Sequence, residues 1–226
     1  MRVTIRGGDQ GLRERLDSVV DVVGCADAED ATLVVTVGEE PLSAAAARGE
    51  QRPVVPVDLD AAWSPSREAL SELLASLAER SVPTVEAHPL VVSADGTEST
   101  AAFDTTLITS EPARISEYAV SVTGRPHAAF RADGVVVASP LGSHGYNRAA
   151  GGPQLGFGTG LAVVPIAPFA TIADAWVVEP PLSVSVERET SVSVFADTDQ
   201  VAKGGSELTV DIETGPPLAV VDHRRL

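Results

Sequence analysis

The stretch Asp133-Gly-Val-Val-Val-Ala-Ser-Pro140-Leu-Gly-Ser-His-Gly-Tyr146-Asn-Arg-Ala-Ala-Gly-Gly-Pro153 decides how this chain is read. The β-branched run 135–137 suits a buried strand, and Ser139-Pro140 ends it. A turn of small polar residues follows, then a tyrosine, then Gly151-Gly152-Pro153. Glycine removes the side chain that would block contact, so backbone amides and hydroxyls in such a turn can approach a ligand closely.

Bulk properties bound the rest. The chain has 226 residues, enough for one large or two small domains, and its 44% apolar content can form a substantial core. Asp and Glu outnumber Lys and Arg by 32 to 16, a formal charge of −16, and Lys203 is the only lysine. Nonspecific nucleic-acid binding needs clustered basic residues, so no nucleic-acid partner is expected. An acidic, lysine-poor surface suits high salt, where self-repulsion is screened, and predicts a halophilic source. Cys25 is alone, which rules out a disulfide within the chain and fits a reducing cytoplasm. A small buried hydrophobe is its expected role. Residues 1–6 read as a strand rather than a signal peptide. No run approaches the roughly 18 apolar residues of a membrane span, so no membrane partner is expected.

Residues 1–82 alternate between strand and helix patterns. Strands are expected at 2–6, 32–37 and 53–57, the proline within the last marking a strand end or an edge. Leu12, Leu16, Val19, Val20 and Val23 recur at helical spacing, and 42–48 is an alanine-rich helix. Ser64-Pro65 is expected to cap a third helix striped by Leu70, Leu73, Leu74 and Leu77. Alternation of this kind implies a parallel sheet with helices on its faces. From residue 83 the pattern becomes short β segments, at 107–109, 118–122, 135–138, 161–166, 182–186, 191–195, 208–212 and 218–221. The expected architecture is a small Rossmann-like α/β domain (1–82) followed by a larger β-rich, sandwich-like domain (83–226). The last strand is free to return to the first domain.

The 133–153 segment resembles the signature of the NAD kinase family, with Pro140, Gly142, Ser143 and Tyr146 where the family has P-T-G-S-T-A-Y. Ala150-Gly151-Gly152-Pro153 stands in place of S-A-G-G-P. Val163-Val-Pro-Ile-Ala-Pro168 is similar to T-P-I-C-P-H, and Phe103-Asp104 stands where the family has Asn followed by an acid. The resemblance implies the same domain order and transfer of the ATP γ-phosphate, with Mg2+, to the 2′-hydroxyl of NAD to give NADP. It also implies a dinucleotide held in the cleft between domains, and a cytoplasmic homodimer or homotetramer.

The departures from the family pattern matter equally. The G-G-D-G-T loop is degenerate here, reading Gly38-Glu39-Glu40-Pro41. A phosphate loop works by aiming N–H groups at the anion. Pro41 removes one N–H, and Glu40 puts a carboxylate where polyphosphate lies. That repulsion is on the order of 1–4 kcal/mol at about 4 Å, and a bridging Mg2+ reverses its sign. Glu39 falls at the aspartate position and is the candidate general base; its alternative is a solvated acid favoured by the helix dipole. Gly7-Gly8-Asp9 reads as an ordinary strand-to-helix loop. Gly38, Glu40, Asp104, Ser143, His144, Tyr146, Gly151 and Gly152 are the candidate substrate-binding residues. Phe103 can stack or pack where asparagine would hydrogen-bond adenine. The remaining histidines are scattered, so no metal-ligand spacing is visible. Loss of the loop leaves a second reading open, a non-catalytic NAD(P)-binding regulatory homologue.

The charge balance makes one testable statement. Melting temperature is expected to rise steadily from low to molar KCl, because the Debye length shrinks from about 10 Å at 0.1 M to about 3 Å at 1 M. A flat or falling melting curve across that series would contradict the halophilic reading.

Overall fold

The computed structural model describes residues 1–111, 115–170, 174–188 and 191–225. The Cys25 side chain and Ala173 lie outside the described parts. The chain divides into two units, Met1–Ala87 with Pro217–Leu226, and His88–Pro216.

In the first unit, β1 (Arg2–Arg6), β2 (Asp21–Val22), β3 (Leu33–Val37), β4 (Val54–Val57), β5 (Thr84–Ala87) and β18 (Leu218–Val221) form one sheet. Their order is β2-β1-β3-β4-β18-β5. All neighbours are parallel except β18 and β5, which run antiparallel. Helices α1 (Gln10–Asp17), α2 (Glu39–Ala47) and α3 (Leu70–Glu79) complete this Rossmann-like unit. Val3, Ile5, Val35 and Val55 of the sheet pack with Leu12 and Leu16 of α1 and Leu70, Leu74 and Leu77 of α3. β5 follows residue 82 yet belongs here, because it pairs with β18 along four residues.

Three local expectations are corrected. β4 is an interior strand, so of the two places open to its proline the edge is excluded, and Pro56 lies next to the strand's end. Its proline is tolerated because β18 pairs with it only at Val54–Val220, leaving Pro56 beyond the second ladder. The helix carrying Leu12 and Leu16 stops at Asp17, so Val19, Val20 and Val23 lie beyond it, and Asp21–Val22 form β2 beside β1. Ser64 does not cap α3. Its Oγ donates to the Pro56 carbonyl at 3.1 Å and accepts from Leu59 N–H at 3.1 Å, pinning the loop to β4.

The second unit is a β-sandwich of two antiparallel six-stranded sheets. One contains β10 (Arg125–Ala132), β9 (Ser116–Val122), β14 (Leu182–Val186), β17 (Thr209–Thr214), β6 (Leu90–Ala94) and β7 (Thr97–Ala101), in that order. The other contains β13 (Trp176–Val178), β12 (Leu161–Ile166), β11 (Gly134–Ala138), β8 (Asp104–Thr109), β15 (Val192–Ala196) and β16 (Asp199–Gly204). Val92, Tyr118, Val120, Val184 and Ile212 from the first sheet share one core with Leu107, Val135, Val137, Val163 and Val194 from the second. On the outer face, Val136, Ala138, Ala162 and Val164 form another cluster with Ala150 and Leu155. β11 is therefore buried on both faces, which is why its sequence is apolar without alternation. A short helix, α4 (Tyr146–Ala149), follows it.

One buried charge organises the first unit. Glu50 accepts from Arg52 Nε at 2.7 Å and from Arg6 at 2.8 Å, and Arg52 also donates to the Ala28 carbonyl. The Arg52 guanidinium holds the Glu50 carboxyl down from 4.5 to about 2, against the opposing effect of burial. A depressed carboxylate stabilises the fold above its unfolded pKa, and that contribution is lost as pH falls toward the folded value. The shift corresponds to about 3 kcal/mol near neutral pH. Glu50→Gln is expected to lower stability by about that amount near neutrality. The gap to the parent protein should close between pH 4.5 and about 2, as measured by urea titration at each pH.

Candidate functional site

β11 runs directly into the turn at residues 139–145, and β8 and the turn form a common surface. Ser139 is fully buried. Its Oγ donates to the Ala102 carbonyl at 2.7 Å and accepts from Leu141 N–H at 3.1 Å. Its own N–H donates to the Phe103 carbonyl at 2.8 Å. A side chain at Gly142 would strike the Phe103 backbone, so glycine is required by close approach alone. The His144 ring meets the Phe103 ring edge-on, with centroids 6.2 Å apart. Phe103 thus packs beneath the turn.

Each expected residue of this unit has a definite place. Asp104 starts β8, is half-buried, and accepts from Thr106 Oγ1 at 3.2 Å. Ser143 is buried, and its hydroxyl is engaged within the loop. It donates to the Pro140 carbonyl at 3.2 Å and accepts from Leu155 N–H at 3.0 Å. His144 is 9% exposed, whereas Tyr146 is 42% exposed at the start of α4. Gly151 takes φ +91°, which favours glycine, and Gly152 lies so close to Asn147 Oδ1 that a side chain has no room. The turn therefore brings Tyr146 to the rim while Ser143 and His144 lie buried within it.

Two residues that the sequence did not single out do much of the positioning. Asp197, in the turn between β15 and β16, accepts from the backbone N–H groups of Ala102, Phe103 and Asp104 at 2.8–3.2 Å. Asn147 is fully buried, and its Nδ2 donates to the Ser143 and Pro153 carbonyls at 2.9 and 2.8 Å, closing the loop on itself. An asparagine inside a run of glycines and alanines is a weak signal for Asn147. Asp197 acts on residues some 94 positions away, and no local pattern announces that.

The other expected residues lie in the first unit. Strand order reverses between β1 and β3, and in open α/β sheets the carboxyl ends at such a point form a ligand crevice. Here they carry Gly7-Gly8-Asp9 and Gly38-Glu39-Glu40. Asp9 caps α1 by accepting from Leu12 N–H at 2.8 Å, so the first loop is a strand-to-helix connection. A side chain at Gly7 would come within 2.7 Å of the Val37 carbonyl, which packs the two loops together. Gly38 takes φ +89°, and the space where its side chain would stand is open. Glu39 and Glu40 are exposed in the first turn of α2, and Pro41 follows them in the helix. Among the described residues, no three His, Cys, Asp or Glu side chains are grouped to hold a metal ion.

An open, mostly parallel sheet joined to a two-sheet sandwich with this tight turn defines a two-domain α/β-plus-β protein. Residues 104–220, just over half the chain, match the family model of the ATP-NAD kinase C-terminal domain, and the chain belongs to the NAD kinase family. The NAD kinase of Methanopyrus kandleri is 30% identical over 162 residues, covering 68% of this chain and 56% of that relative. An NAD kinase from Archaeoglobus fulgidus, solved in complex with ATP, superimposes with a TM-score of 0.76. The match covers 100% of this chain and 95% of that one, at 21% identity. Yeast NADH kinase, solved with NADH, gives a TM-score of 0.76 over 98% and 83% of the two chains, at 14% identity. At these identities the structural likeness shows the fold. Matches to three curated NAD kinases span 24%, 44% and 56% of those relatives' lengths.

The turn can be tested by filling it. Gly142→Ala is expected to cost about 3 kcal/mol or more, because the obstacle is backbone and cannot rotate away. Gly145→Ala meets only the Gly142 carbonyl at 3.5 Å, an ordinary contact, and is expected to stay within about 0.5 kcal/mol. Chemical denaturation of the two variants checks the contrast.

Proposed function

We propose that this chain is an NAD kinase, transferring the γ-phosphoryl group of ATP to the 2′-hydroxyl of the adenosine ribose of NAD. The observation that carries this reading is the 133–153 signature, which lies within the matched family region and is built as a rigid turn with Tyr146 at its rim. The 2′-oxygen attacks the γ-phosphorus, the bond to the β,γ-bridging oxygen breaks, and ADP leaves. Glu39 accepts the hydroxyl proton. Its exposed position at the start of α2 leaves the carboxylate accessible to a substrate hydroxyl. Asp104, His144 and Tyr146 orient the dinucleotide, Tyr146 offering a flat face to a base. Ser143, Gly151 and Gly152 act through the shape of the turn, and Gly38 leaves space for the donor.

Phosphoryl transfer is catalysed mainly by positioning and charge neutralisation. Mg2+ fits the residues present. It is commonly held by one or two carboxylates plus substrate phosphates, and Glu40, exposed at the strand end beside Glu39, would hold it while Glu39 stays free to take the proton. Such an ion supplies charge neutralisation at the transferring phosphoryl group. A cytoplasmic homodimer or homotetramer belongs to the same proposal.

The test is NADP formation from NAD, ATP and Mg2+ at high salt. The protein is expected to form NADP, and Glu39→Ala to lower kcat by about 10²-fold or more, with melting temperature lowered by no more than about 4 °C. NADP formation that survives Glu39→Ala removes the base assignment. No NADP from the parent protein, with NADP still raising its melting temperature, would establish a non-catalytic binder instead.

A further inference from the structure

Arg67 occupies an unusual position in the first unit. Its Nε donates to Asp58 Oδ2 at 2.7 Å, and a terminal nitrogen reaches Asp9 Oδ2 at 3.4 Å. Asp9 follows β1 and Asp58 follows β4, with β3 lying between them in the sheet. Two strand spacings separate these ends by about 10 Å. A guanidinium that touches both therefore bridges the loops that flank β3, the strand whose carboxyl end leads into Gly38-Glu39-Glu40.

The segment that carries Arg67 is firmly held. Asp58 N–H donates to the Pro65 carbonyl at 3.1 Å, and Arg15 donates to the Arg67 carbonyl at 2.9 Å. Ser64 ties the same loop to Pro56 and Leu59. The guanidinium is thus placed in advance, while its side chain remains 37% exposed. The two arms differ. The Asp58 contact is a short charge-assisted bond, whereas the Asp9 contact lies beyond the usual N–H···O range. An arriving anion can displace the Asp9 arm and leave the Asp58 arm in place.

We infer that Arg67 binds the polyphosphate of the phosphoryl donor above Gly38. The inference rests on the reading that this chain transfers a phosphoryl group. Glu40 and Pro41 weaken the β3–α2 loop as an anion cradle by adding a negative charge and removing an N–H. Arg67 returns a positive charge to the same strand end. A planar guanidinium retained by one carboxylate still presents N–H groups for two phosphate oxygens. Asp58 acts as the positioning residue for that fork.

The test compares Arg67→Gln, Arg67→Lys and Asp58→Asn in the full chain. Steady-state kinetics with Mg-ATP and NAD give one readout, and thermal shift with magnesium tripolyphosphate in the absence of NAD gives another. In Arg67→Gln, KM for ATP is expected to rise roughly tenfold to hundredfold, the size of a lost charged hydrogen bond, with KM for NAD nearly unchanged. Arg67→Lys should fall between this and the parent, because ammonium keeps the charge and loses the fork. Asp58→Asn breaks the internal ion pair but keeps the arginine, so its KM for ATP should rise far less. Tripolyphosphate should raise the melting temperature of the parent and not of Arg67→Gln.

An unchanged KM for ATP in Arg67→Gln would overturn the inference. So would Asp58→Asn matching Arg67→Gln in both KM and melting temperature, since Arg67 would then be a brace between loops. Should the parent form no NADP, the kinase reading fails separately, and the tripolyphosphate shift decides: dependence on Arg67 upholds the inference, and its absence overturns it.

Discussion

The second unit depends on one close approach, that of the Gly142 backbone to the carbonyl of Phe103. It fixes where β11 must end, because a turn this close to another strand has no space for a side chain. Ser139 locks the same junction from inside, joining the Ala102 carbonyl to the amides of Leu141 and Gly142. Once that junction is fixed, His144 rests on the Phe103 ring and Tyr146 opens α4 at the surface. The exposed residues of the turn owe their places to buried atoms that never meet solvent.

The junction is held from a third direction by Asp197. Its carboxylate gathers three consecutive backbone N–H groups at the entry to β8, and its own N–H donates back to the Asp104 carbonyl at 2.9 Å. A carboxylate accepting several amides acts as a charged clamp on a segment that would otherwise be free to shift. The β15–β16 turn, the start of β8 and the turn after β11 therefore form one rigid assembly. Loops placed this way can carry a binding function because the sandwich beneath them does not yield.

Legibility in the sequence followed burial in most of the second unit, with β6 a buried strand that was not singled out. The runs 135–138, 161–166 and 182–186 are apolar or alternating because they face a core, and they appear as β11, β12 and β14 within a residue. β7 (sequence TESTA) and β16 (DQVAKG) went unread because they are edge strands, mostly exposed on both faces, with no apolar periodicity to betray them. The β6–β7 hairpin does carry a local signal, Asp95-Gly96, with both residues at positive φ as a tight primed turn requires. Pro56 marks the end of β4 rather than an edge, because the pairing with β18 is confined to Val54, a fact that local sequence does not carry. For the candidate site, glycine and tyrosine positions were readable, whereas Asp197 and Arg67 act across distances that a single sequence does not encode.

The acidic start of α2 is a conflict in which two electrostatic effects oppose each other. The helix dipole stabilises Glu39 and Glu40 where they stand, by about 0.3–1 kcal/mol each when exposed. Under the proposed function the same carboxylates would repel the donor's polyphosphate, by an amount at least as large at close range. Folding alone therefore favours this sequence, and anion binding alone disfavours it. A cation would resolve the conflict. Under the proposed function, a divalent ion shared with the phosphates would make Glu40 a ligand, and the guanidinium bridging the loops on either side of β3 would add a fixed positive charge. With both in place, an acidic loop can serve a chemistry usually carried out by a glycine-rich one.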